Sequence, residues 1–323
     1  MMTRNIALTL LAISALIYGV TFTLAKDVMP AFIKPYGFIV LRVAGATALF
    51  WITGLFVKTE KIAKEDYIRV FFAALFGIAL NMLCFFKGLS LTTPINAASI
   101  MVTTPILVFI LAILILKEKL SIKKGIGVTI GLIGATVLIF YKQQSNGYGG
   151  ENIRFGNFLV LINAVSYALY FIVVKKLLEK YNPFTFVKWM YLIALIMVLP
   201  FGFTELMEVN FTAIPSTGLF KIGFIVVCTT YLTYMFNVLS LTKLKPTTVS
   251  VFIYFEPIIA SCYALMVGSD TLDPLKIGAT AVIFLGVFLV TQPPLKGGIK
   301  SKFPIKVLSL FKIRKFAQIY FSR

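Results

Sequence analysis

Residues 250 to 268 read SVFIYFEPIIASCYALMVG, an apolar run holding one carboxylate, Glu256, directly before Pro257. An ionised carboxylate at the centre of a membrane helix costs about 3 kcal/mol on insertion scales, so a residue of this kind needs a reason. In one reading Glu256 is a proton or cation site that changes charge as the protein works. In the other it is structural. Pro257 lacks a backbone N–H and displaces the carbonyl four residues back, and a neighbouring polar side chain satisfies the groups freed by the kink.

A second isolated charge, Arg42, lies inside another apolar stretch. Its planar fork suits a carboxylate or phosphate, although an arginine so placed can also snorkel to the interface or pair with a helix end. Uncharged polar residues recur at helical spacing: Ser14, Tyr18 and Thr21; Asn163, Tyr167 and Tyr170; Asn96, Ser99 and Thr103; Thr230, Tyr234 and Asn237; Ser250 and Tyr254; and Asn81 beside Cys84. Steps of three, four and seven residues place each set on one helix face. Such stripes either line a polar cavity or bind membrane helices to one another. Their presence on several helices favours the cavity. Lys188 and Trp189 read as an interfacial anchor, and most of the 31 phenylalanines as lipid-facing packing.

The elements that must carry these residues are apolar throughout. Hydrophobic residues make up 59% of the 323, mean hydropathy is +0.94 and histidine is absent, which excludes an ordinary soluble domain. Ten runs long enough to span a bilayer fall near 5–25, 36–57, 68–86, 94–116, 123–141, 155–175, 183–203, 217–238, 246–267 and 275–292. The first is expected to be a retained helix, because no clear small-residue cleavage site follows it.

The net charge of +19 comes from short basic clusters between the runs and from the tail, so it reads as a topology signal and not as a nucleic-acid surface. Lys and Arg concentrate on alternate connections, which predicts that both termini are cytoplasmic. The tail from residue 294 is expected either to lie on the inner leaflet or to be a disordered basic segment. Three scattered cysteines offer no metal or disulfide spacing, and no Walker sequence or nucleophile constellation is visible.

The two halves repeat. FKGLSLT (86–92) matches FNVLSLT (236–242) at an offset of 150, an offset of 152 pairs Pro94, Pro105 and Gly134 with Pro246, Pro257 and Gly286, and an offset of 149 pairs Tyr18 with Tyr167. Five helices per unit, an odd number, place the second unit in the opposite orientation. The expected fold is therefore an all-α membrane protein of ten transmembrane helices in two inverted-topology five-helix repeats, 1–145 and 146–293, followed by the tail at 294–323. Inverted repeats support alternating access around a midplane site.

The segments EPIIASCYALMVGSDTLDPLKIGATAVIFLGVFLV (256–290) and TPILVFILAILILKEKLSIKKGIGVTIGLIGATVLI (104–139) carry a resemblance to the EamA family of the drug/metabolite transporter superfamily. The second half has that family's Glu-Pro opening, while the first has Thr104-Pro105, and Asp270 stands where Glu is commoner. The resemblance implies a bacterial plasma-membrane carrier, not an enzyme, that needs no cofactor and exports a small polar metabolite such as an amino acid. Proton coupling stays open, as does a monomer against a weak homodimer. The alternatives are an exchanger of phosphorylated or nucleotide-linked solutes, or a membrane receptor or enzyme. On this reading the sixteen cavity candidates are the stripe residues above with Arg42, and Glu256, Pro257 and Pro105 serve gating or coupling.

Overall fold

The computed structural model describes residues 3–57, 60–116, 122–140, 152–244, 249, 252–270 and 273–291. Among these the regular structure is entirely helical: α1 Arg4–Val28, α2 Pro35–Phe56, α3 Lys64–Leu91, α4 Pro94–Met101, α5 Thr104–Leu116, α6 Ile122–Phe140, α7 Ile153–Lys180, α8 Pro183–Met207, α9 Ser216–Leu241, α10 Phe252–Met266 and α11 Pro274–Thr291. Seven segments are long and apolar enough to cross a membrane, with α4 and the start of α5 counting as one of them. Shorter apolar helices, Gly125–Val137, Phe252–Met266 and Ile277–Gly286, fall in the fifth, ninth and tenth expected runs. Helices suit this setting because every backbone polar group is satisfied within its own segment. Large apolar side chains such as Leu55, Phe56, Phe220 and Met266 point outward, as lipid contact requires.

The fourth run, expected to be continuous, breaks between α4 and α5. Pro105 has no N–H to carry the helix on, and the hydroxyls of Thr103 and Thr104 donate to the carbonyls of Ile100 and Met101, each at 2.7 Å. Pro257 likewise lies in the first α turn after a 3-10 turn at Phe252–Tyr254, where proline is tolerated. Both α3 and α9 contain a π-helical stretch, Leu75–Ala79 and Ile225–Leu232, and the two start 150 residues apart.

Packing repeats the internal symmetry. The most extensive helix contacts are α6 with α11, α2 with α8, α3 with α7, and α1 with α9 and α10. Helices that interchange under the offsets of 149 to 152 thus meet their own counterparts, or form pairs that map onto one another. In lipid, helix association depends on close packing and polar contacts, since the tails are as apolar as leucine. The small residues Gly127, Gly131 and Gly134 of α6 accordingly press against Gly286 and Ala279 of α11, within one chain.

Charged residues fasten the helix ends. Asp27 pairs with Lys221 at 2.6 Å, joining α1 to α9, while Asp66 pairs with Lys180 and with Arg69 and accepts from the Tyr181 hydroxyl, joining α3 to α7. Glu205 accepts from the amides of Tyr36 and Gly37 at 2.8 and 2.9 Å, and Glu60 from that of Asn182 at 3.2 Å, so a carboxylate caps the start of both α2 and α8. The Lys26 ammonium donates to the carbonyls of Leu89, Ser90 and Thr92 at 3.0, 2.7 and 2.8 Å, at the carboxyl end of α3. Replacing Lys26 by Met, which keeps the stem, is expected to cost about 3 kcal/mol, because charge-assisted bonds to otherwise orphaned carbonyls are lost. Thermal unfolding of the detergent-purified variant checks this.

Candidate functional site

A cavity of about 100 Å³ opens where both repeats meet. Its walls come from α1 (Tyr18, Thr21, Phe22), α2 (Arg42), α3 (Gly77, Asn81, Met82, Phe85, Phe86), α4 (Met101), α7 (Asn163, Tyr167), α8 (Tyr191), α9 (Thr229, Thr230, Tyr234) and α10 (Ile253, Glu256). Arg42 is only 3% exposed, so it does not snorkel to an interface. Its Nε and Nη2 donate to Thr230 Oγ1 at 3.0 and 2.8 Å, its Cζ lies 4.0 Å from the Phe86 ring centroid, and its Nη1 has no hydrogen-bond partner.

The π-helical stretch of α9 positions this arginine. Thr230 Oγ1 donates to the carbonyl of Ile225, five residues back, at 2.7 Å, leaving its lone pairs for Arg42. The Thr230 carbonyl accepts from the Tyr191 hydroxyl at 3.2 Å. One residue earlier, Thr229 and Thr21 hydroxyls meet at 2.7 Å, tying α9 to α1. The π stretch of α3 is held from α7 in a comparable way: Ser166 donates to the carbonyl of Phe76 at 2.8 Å, and Asn163 Nδ2 to that of Asn81 at 2.9 Å. π turns are rare and cluster at functional sites, which suits their place in this wall.

Of the residues singled out from sequence, Tyr18, Thr21, Arg42, Asn81, Asn163, Tyr167, Thr230, Tyr234 and Glu256 share this lining. Ser14 and Asn237 line a smaller adjoining space, again with Tyr18, Tyr167 and Glu256, and Asn237 Nδ2 donates to the Tyr18 hydroxyl at 3.4 Å. Tyr170 stacks behind Tyr167, with ring centroids 5.8 Å apart, and Tyr254 packs against Phe284. Ser250 lies outside the described residues.

Three candidates from the fourth run are not brought to the cavity. Asn96, Ser99 and Thr103 are at most 1% exposed: Asn96 Nδ2 donates to Thr92 while its Oδ1 has no partner, Ser99 accepts from Thr280 of α11 at 2.9 Å, and Thr103 donates to the carbonyl of Ile100. The Ser99 bond ties α4 to α11. Pro105 and Pro257 are buried at helix starts beside the lining and not in it.

Sequence reasoning missed Tyr191, Thr229 and the phenylalanines at 22, 85 and 86. These three phenylalanines face the cavity, outside the mostly lipid-facing packing expected of the type. A signal for Tyr191 did exist. The offset of 149 that pairs Tyr18 with Tyr167 also pairs Arg42 with Tyr191.

The profile of the EamA-like transporter family matches residues 5–140 and again 154–292, one copy per half. The chain belongs to the EamA-like transporter family. This EamA-like protein is 25% identical over 284 residues to an uncharacterized transporter of Archaeoglobus fulgidus, covering 87% of this chain and 97% of the relative. It is 27% identical over 288 residues to the uncharacterized transporter YyaM of Bacillus subtilis, covering 88% and 92%. A WAT1-related protein of Arabidopsis thaliana, At1g43650, shares 27% over 44% of each chain. A solved structure titled only "Crystal structure of protein" superposes with a TM-score of 0.61 at 17% identity, over 90% of this chain and 97% of the other, a likeness of fold. The EamA-like protein is thus a multi-pass membrane transporter whose fold contains two repeats. Among its described residues no cluster of three His, Cys, Asp or Glu side chains is placed to hold a metal.

Proposed function

We propose that this transporter is a secondary carrier, not an enzyme, that exports a small polar metabolite, an amino acid or derivative, across a bacterial plasma membrane by alternating access between repeats 1–145 and 146–293. The observation that carries the reading is Arg42, a buried arginine with one nitrogen unpartnered, on the wall of a cavity to which helices of both repeats contribute. Such a group receives a carboxylate through paired hydrogen bonds. Rocking of one repeat against the other exposes a shared midplane cavity to each side in turn. A phosphorylated or nucleotide-linked solute is the weaker fit: Arg42 is the one cation among the described lining residues, and the space is below the 300 Å³ or so usual for drug-sized ligands.

The test is counterflow in liposomes of purified protein, with labelled amino acids set against sugar phosphates and nucleotide sugars, with and without a pH gradient. Saturable amino-acid exchange is the expected result. Exchange of phosphorylated solutes alone defeats the reading.

A further inference from the structure

We infer that Arg42 and Glu256 form a two-point clamp for a small zwitterion, the guanidinium taking the ligand's carboxylate and the Glu256 carboxylate taking its ammonium. The inference deepens the carrier reading and rests on it. Arg42 and Glu256 are the two charged side chains among the described residues of the cavity wall. They stand on different repeats, α2 and α10, and are 3% and 8% exposed. No ion pair among the described residues joins them or neutralises either one. Arg42 keeps Nη1 without a hydrogen-bond partner.

Two isolated opposite charges in a membrane interior are each costly. A ligand carrying both counter-charges on one small skeleton offsets both costs together. An amine leaves the guanidinium unanswered, and a simple acid leaves the carboxylate so. Tyr18 adds a hydroxyl to the same wall.

Thermal-shift titration of the detergent-purified protein tests the clamp, using each proteinogenic amino acid together with its decarboxylated amine and its deaminated acid. The amino acid that stabilises the protein is expected to bind about 100-fold more tightly than either analogue, the loss of one charged contact. In Glu256→Gln the amino acid and its deaminated acid are expected to bind equally, whereas Glu256→Asp keeps the preference and serves if the Gln variant does not fold. If an amino acid and its deaminated acid bind the native protein within a few-fold of each other, the clamp is overturned and the carrier reading stands. Absence of binding by every amino acid overturns both.

Discussion

Replacing Arg42 with Gln is expected to weaken carboxylated substrates about 100-fold, the worth of one or two charge-assisted hydrogen bonds. The effect should be large because the arginine is fixed before substrate arrives. Two of its nitrogens are held by Thr230 and its face by Phe86, so little ordering remains when the third nitrogen engages a ligand. Arg42→Lys keeps the charge but loses the planar fork, and should fall between the two. Thr230 retains its bond to the Ile225 carbonyl in either variant, so the π stretch has its own support. Counterflow in liposomes, with monodispersity on gel filtration as the folding control, decides the matter. Unchanged affinity in a well-behaved Gln variant would remove Arg42 from the site.

The second large effect is on stability. A Cβ at Gly286 would meet the backbone of α6, with Gly131 nitrogen and Cα in its way and the Gly127 carbonyl oxygen at 2.6 Å. Backbone atoms cannot rotate aside, so Gly286→Val must separate α6 from α11, one of the most extensive helix pairs in the fold. Overpacking commonly costs 1–3 kcal/mol, and about 3 kcal/mol or more is expected where the obstacle is main chain. Gly278→Val, on the same helix with nothing within 4 Å of its Cβ position, should stay within about 0.5 kcal/mol of the parent. Thermal inactivation of the two variants side by side reads the difference; equal losses would show that helix propensity, not contact, is responsible.

Much of this architecture was legible in the sequence because its signals are short-range and rigid. Ser14, Tyr18 and Thr21 share a face in any continuous helix, and α1 is continuous. The repeat was legible in Leu-Ser-Leu-Thr, at the carboxyl ends of α3 and α9. Asn96, Ser99 and Thr103 show where the method stops. Their spacing is as helical as that of the first stripe, but periodicity names a face without naming what it meets, and in a membrane protein the lipid side is no more apolar than the packed side. Phe22, Phe85 and Phe86 were hidden among 31 phenylalanines for the same reason. The π stretches left no trace, because a bond shifted from four residues to five depends on what α1, α2 and α7 offer to the freed groups.

The two end-fastening ion pairs have opposite polarity with respect to the repeat. Asp27 is at the end of α1 and Lys221 near the start of α9, while Lys180 is at the end of α7, the counterpart of α1, and Asp66 at the start of α3, the counterpart of α9. If the first half packed against an inverted copy of itself, Asp27 would meet Phe71, which matches Lys221 at the offset of 150, and if the second half did so, Lys180 would meet Ser216, which matches Asp66. Neither attraction could then form at helix ends where the native pairing has one. Each half is thus a poorer partner for its own duplicate than for its sibling, and a gene encoding either half alone should yield a protein that pairs with itself less well than with the other half.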